Sequence, residues 1–196
     1  RHGKNCCYIF WQADYEKFLR RRKLSQLLRR AVTHDFEGFE AYLQPLIDTD
    51  TNTIYGAESL MRFHTREFGM VSPGEFIPLL EETGLIIPVG KWMLNEAMHF
   101  CHKIQKKIPD FKISINISYV QIVKSNIIAE ILNAVDYYQI PPATVIIELT
   151  ESGIVELDTR ITKLWQRLKE RGIRLALDDF GTGYSNFHYL NELKPD

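Results

Sequence analysis

Two periods of apolar residues organise the chain. In AYLQPLI (residues 41–47), IYGAESLMRF (54–63), FKISINI (111–117), VIIELT (145–150) and IRLALD (173–178) the text reads as strands, the last three with apolar residues at every second position, as in a half-buried strand. The intervening text has helical spacing. After Asp14, a candidate cap, Tyr15, Phe18, Leu19, Leu24, Leu27 and Leu28 fall on one side of a helix. Ser72, Pro73 and Glu75 form a capping-box pattern with proline at the first helical position, and Gly84 closes that helix. A second helix runs from Pro88 through Val89, Trp92, Met93, Ala97, Phe100, Cys101 and Ile104; helical text follows from Tyr119 to Tyr138 and again over 158–171, ended by Gly172. The first two strands flank a polar turn, DTDTNT, and the later ones alternate with helices, which predicts an α/β fold with a parallel sheet.

Strand parity separates polar from apolar residues. Phe111, Ile113, Ile115 and Ile117 face one way, Ser114 and Asn116 the other. Glu148 lies opposite Val145, Ile147 and Leu149; Ala176 and Asp178 lie opposite Ile173, Leu175 and Leu177; Glu58 and Arg62 share a side. A polar residue near the carboxyl end of each strand is the pattern of an active site at the mouth of a (β/α)8-type barrel. The inward set is Glu58, Asn116, Glu148 and Asp178, joined just past their strands by Asp179 and Glu151. Singly, each has an ordinary explanation as a solvated rim residue or a piece of turn chemistry. Together, converging carboxylates repel one another and are driven towards protonation unless cations neutralise them. Oxygen-only ligands favour magnesium or manganese over zinc, and a pair of such ions suits in-line displacement at phosphorus.

Composition narrows the partners. Lysine plus arginine (24) balance aspartate plus glutamate (25) in 196 residues, so no global field points to a nucleic-acid polymer. The basic run from Arg20 to Lys23 lacks interleaved aromatics and reads as a solvated face of a linker helix. Uncharged stretches fall short of the roughly eighteen residues of a membrane span. Three cysteines, Cys6, Cys7 and Cys101, offer no C-x-x-C pair and suggest a reducing cytoplasm. Gly181-Thr182-Gly183 lacks the lysine of a nucleotide loop, His99 and His102 lack an acidic partner motif, and Ser185 has no nucleophile-elbow context.

The blocks YGAESLMRF, FIPLLEETGLIIPVGKWML, ISINISYVQI, IIELTES and LALDDFGTGYSNFHYLNELKPD occur in order from about Tyr42 to the last residue, and resemble the signature blocks of the EAL domain family. That resemblance implies a (β/α)8 TIM-type barrel in which two Mg2+ or Mn2+ ions open one phosphodiester bond of cyclic di-GMP to give linear pGpG. By the same resemblance Glu58, Asn116, Glu148 and Asp178 are metal ligands, and Asp179 touches a metal and orients the attacking water. Glu151 would hold the 178–183 loop, which in the family borders a homodimer contact. Gln44 and Arg62 match positions that contact the dinucleotide, Arg62 through a phosphate, as a guanidinium fork would.

Serine replaces alanine in the signature triplet Glu58-Ser59-Leu60, a small swap that points away from the mouth. By the same resemblance the family's catalytic lysine and last glutamate ligand would lie in blocks beyond Asp196, and Lys194, before Pro195, is not that lysine. The 156 residues from Ala41 onward compare with about 250 in a full barrel, so a partial barrel of some five strands, broken before the sixth, is expected. Residues 1–13 resemble the tail of a GGDEF domain, 14–38 a linker helix, and 39–196 the N-terminal part of the EAL domain. The expected function is cyclic di-GMP hydrolysis in bacterial second-messenger signalling, with the bare segment inactive. The alternatives are a receptor that binds cyclic di-GMP without cutting it and a purely structural remnant. A cytoplasmic location is expected, with any membrane anchor in parent segments.

Overall fold

The computed structural model describes residues 11–150, 159–178 and 195. Its elements are α1 (Gln12–Thr33), β1 (Phe39–Asp48), β2 (Thr53–Thr65), β3 (Gly69–Val71), α2 (Pro73–Thr83), α3 (Ile86–Gln105), β4 (Lys112–Ile117), α4 (Tyr119–Lys124), α5 (Ile127–Tyr138), β5 (Val145–Thr150), α6 (Thr159–Glu170) and β6 (Arg174–Asp178). The sheet order is β1-β2-β4-β5-β6, with β3 paired to β2. From β2 to β6 the pairing is parallel, as the alternation of strand and helix predicts. β1 is antiparallel to β2, because a short turn over residues 49–52 cannot supply a crossover. Asp48 closes that turn, accepting from the backbone of Asp50 and Thr51 and from the Thr51 hydroxyl.

The outward parity of the strands builds the core. Ile113, Ile115 and Ile117 of β4, Val145, Ile147 and Leu149 of β5, and Leu175 of β6 pack against Leu94, Ala97, Met98 and Cys101 of α3 and against faces of α5 and α6. A second cluster joins Leu24, Leu28 and Ala31 of α1 to Phe39, Phe63, Phe76, Leu79 and Leu80. Burial drives the Cys101 thiol up to about 12, so it is an inert packing residue.

Local chemistry departs from the sequence reading in several places. Trp11 holds the N-cap position of α1, and Asp14 lies within the first turn. The run from Arg20 to Lys23 is not merely solvated. Arg20 donates to both carboxylate oxygens of Glu75 at 2.6 and 2.9 Å, Arg21 donates to Glu82 at 2.5 Å, and Lys23 lies 3.3 Å from Glu67. Ser72 precedes α2 as expected, but its side chain makes no capping bond. The Glu75 carboxylate is taken instead by the Arg20 fork, which holds its pKa below the ordinary value. A two-pronged charge-assisted contact outcompetes a neutral backbone N–H. Gly84 does end α2, in the left-handed region at φ 73°. The next helix begins at Ile86, two residues before Pro88. The helical text from Tyr119 to Tyr138 divides at Ser125 and Asn126 into α4 and α5. A complete capping box forms at Ser118 and Gln121, and Gly90 of α3 gives the Gln121 side chain its room, since a Cβ there would sit 2.2 Å from the Gln121 amide nitrogen and displace it.

Ser59 points away from the polar face, as its parity predicts, and is 3% exposed. Its hydroxyl has no hydrogen-bond partner among the described residues. Serine is therefore not neutral here, because a buried, unpaired hydroxyl keeps its desolvation cost. Ser59→Ala should stabilise the protein by about 1 kcal/mol, raising the unfolding midpoint by roughly 2–4 °C. Thermal unfolding of the two proteins checks this, and an unchanged or lowered midpoint would show that the hydroxyl is satisfied.

Candidate metal centre

The inward parity of four strands gathers the polar side chains on one face. Glu58 of β2 is level with Ser114 of β4, Asn116 of β4 is level with Glu148 of β5, and Thr150 of β5 is level with Asp178 of β6. The three acids thus climb two residues at each step across the sheet, a stagger that accompanies strand tilt in a closing barrel. Glu148 stands beside Ala176, whose small side chain leaves space on that rung. One oxygen from each of Glu58, Glu148 and Asp178 lies within 4.8 Å of the others. It is the only such acidic, histidine or cysteine group among the described residues, so His99 and His102 do not build one.

β4 braces two of these acids. The Asn116 amide donates to Glu58 Oε1 at 2.8 Å. The Ser114 hydroxyl donates to Glu148 Oε1. The braces cross: each donor is level with one acid and bonds the other. No lysine or arginine pairs with Glu58 or Glu148 among the described residues. Burial raises the Glu148 pKa above its ordinary value, and the charges on Glu58 and Asp178 add to the rise, while the Ser114 bond opposes it.

Other residues singled out from the sequence fall around this group. Gln44 of β1 is the direct partner of Glu58 and is exposed. Arg62 lies on the same face as Glu58; its Nη1 donates to the Met61 carbonyl at 3.0 Å and its guanidinium lies 5.7 Å from the centre of the Tyr42 ring. Asp179 and Glu151 lie outside the described residues. Ser114 has the inward parity of Asn116 in the sequence, but nothing local marks a serine as a partner of Glu148. Glu81 of α2 accepts from the Ser118 hydroxyl at 2.5 Å and so ties α2 to the segment just past Asn116. That contact joins residues 37 apart, and no local pattern signals it.

An all-oxygen donor set with three converging carboxylates fits a hard divalent cation. No helix among the described residues is long and apolar enough to cross a membrane.

Residues 25–196 match the EAL domain family. The chain is 38% identical over 172 residues to the signaling protein YkoW of Bacillus subtilis, covering 87% of this chain and 21% of that one. It is 35% identical over 157 residues to the cyclic di-GMP phosphodiesterase PA2567 of Pseudomonas aeruginosa, covering 80% and 27% respectively. Among solved structures, the PaMucR phosphodiesterase in complex with c-di-GMP matches with a TM-score of 0.80 at 30% identity, over 89% of this chain and 70% of that one. The α/β barrel-type fold expected from the alternating strands and helices is therefore the fold of this chain.

The raised Glu148 carboxyl sets a pH dependence. Its folded pKa exceeds the unfolded value of about 4.5, so ionised Glu148 costs metal-free stability. That cost is absent below the unfolded value and complete once pH has risen through the folded one. Glu148→Gln should therefore raise the metal-free unfolding midpoint at pH 7, with the gain vanishing near pH 4. Mn2+ should reverse the ranking, stabilising the parent sequence by about 2.7 kcal/mol at a free concentration one hundred times its dissociation constant and leaving the variant almost unmoved. Thermal unfolding at both pH values, with and without Mn2+, measures all of this.

Proposed function

The chain belongs to the EAL domain family, and from that premise we propose that its parent protein hydrolyses cyclic di-GMP to linear pGpG. The observation that carries the reading is the meeting of Glu58, Glu148 and Asp178 oxygens within 4.8 Å on one face of the parallel strands β2, β5 and β6. Such a group is costly unless it serves a cation, and the relative PA2567 is named as a cyclic di-GMP phosphodiesterase.

In this reading Glu58, Asn116, Glu148 and Asp178, with Asp179, hold two Mg2+ or Mn2+ ions. Bound there, the cations supply Lewis acidity at the phosphate and an acidified water. Asn116 spends its amide nitrogen on Glu58, which leaves its carbonyl oxygen for ligation. Arg62 spends Nη1 on a carbonyl, which leaves the rest of its fork for a phosphate oxygen. Gln44, exposed beside Glu58, would bond the dinucleotide. Asp179 would orient water for in-line attack: a P–O bond forms to the water oxygen as the opposite P–O ester bond breaks, the water gives up a proton and the departing ester oxygen takes one up as a hydroxyl, so the ring opens at one bond. Glu151 fastens the 178–183 loop that borders a homodimer contact. Residues 1–13 would be the tail of a GGDEF domain and α1 the linker from it, with the site in the cytoplasm.

The chain spans 21% and 27% of the lengths of the two relatives above, so the activity is proposed for the parent protein. The full-length protein with Mn2+ should convert cyclic di-GMP to pGpG, followed by chromatography of the nucleotides. Glu58→Gln and Asp178→Asn should each lower turnover by roughly a hundredfold or more, the scale on which deleting one transition-state contact acts. The 196-residue segment by itself should give no pGpG. A full-length protein that binds cyclic di-GMP in Ca2+ yet makes no pGpG in Mn2+ would establish the receptor reading instead.

A further inference from the structure

We propose that Ser114 is a positioning residue for metal binding, holding Glu148 in the orientation from which it ligates; this rests on the reading of the acidic group as a cation site. Ser114 is 1% exposed, and its hydroxyl donates to Glu148 Oε1. Its backbone is fixed from the other side of the sheet, where Ile113 and Ile115 are 0% and 1% exposed in the core. A serine side chain has little freedom beyond one torsion, so a rigid strand gives a rigid hydroxyl. Glu148 is the opposite case. Its long side chain feels the charges of both Glu58 and Asp178, which favour rotamers that swing the carboxylate away from the shared gap. The Ser114 bond opposes that swing and occupies one acceptor position on one oxygen, leaving the second oxygen for a cation.

The pairing is also mutual. A hydroxyl as buried as that of Ser114 needs an acceptor, and Glu148 supplies it. Asn116 does the equivalent for Glu58, but Asn116 is exposed and is itself a proposed ligand, so Ser114 is the brace that acts only through another residue. Residues hydrogen-bonded to metal ligands in this way typically alter metal affinity by 10–100-fold on mutation.

The test is a Mn2+ titration of the full-length protein followed by electron paramagnetic resonance. The relevant component is the one that Glu148→Gln abolishes. Ser114→Ala should weaken that component by roughly tenfold or more with the circular dichroism spectrum unchanged. Ser114→Thr, which keeps the hydroxyl, should recover most of the loss, and Ser114→Cys, a weak donor of similar size, should fall between and carries the test should alanine impair folding. An alanine variant with a lowered unfolding midpoint but unaltered Mn2+ affinity overturns the positioning role and leaves the metal reading intact, as does a loss that threonine does not recover. Absence of any Mn2+ component sensitive to Glu148→Gln in the parent sequence overturns the metal reading and the positioning role with it.

Discussion

The burial of Glu148 beside Glu58 and Asp178 is the constraint on which this site depends. Carboxylate oxygens within 4.8 Å of each other on one face of a sheet, one of them half-buried, cost free energy in the absence of a counter-charge. Among the described residues no basic side chain pairs with Glu58 or Glu148 to remove that cost. The protein supplies neutral donors from β4, Ser114 and Asn116, which limit the movement of the acids without cancelling their charge. A lysine in the same place would stabilise the metal-free fold and fill the space a cation needs. Neutral braces keep the negative potential available.

The two faces of the sheet divide the energetic roles. On the outer face Ile113, Ile115, Val145, Ile147 and Leu175 are essentially inaccessible, each contributing about 1.5–3 kcal/mol of burial. This apolar layer offsets the unfavourable electrostatics across the sheet. Ser59 shows that the layer is not perfect, since its unpaired hydroxyl sits one residue along the strand from Glu58 and on the opposite face. The substitution lies outside the ligand set, and its penalty falls on stability rather than on the geometry of the acids.

Much of this was legible in the sequence wherever the signal was periodic or local. The parity of FKISINI and VIIELT placed Asn116 and Glu148 on the inward face, and Gly84 marked a helix end, because side-chain direction alternates and left-handed φ favours glycine. Contacts between distant residues were not legible. The Ser72 capping box failed because Glu75 met Arg20, a partner 55 residues away, and the same association turned a run of basic residues into a docking surface. Helical periodicity also ran across Ser125 and Asn126 without marking a break. The crossed braces fall in the same class, since nothing in a one-dimensional pattern says that Ser114 will serve Glu148 rather than its level neighbour Glu58.

Why the donors lie on β4 follows from their length and from its place in the sheet. β4 stands between β2 and β5, the strands that carry Glu58 and Glu148, and its outward isoleucines lock its backbone against α3 and α5. Short side chains on such a strand inherit its precision, whereas glutamates have several torsions and would spread over many rotamers under mutual repulsion. A long donor such as lysine or glutamine would share that freedom and transmit little order. Serine and asparagine on the central strand, glutamates on its flanks, is therefore the arrangement in which backbone rigidity passes most directly to the oxygens that must meet a cation.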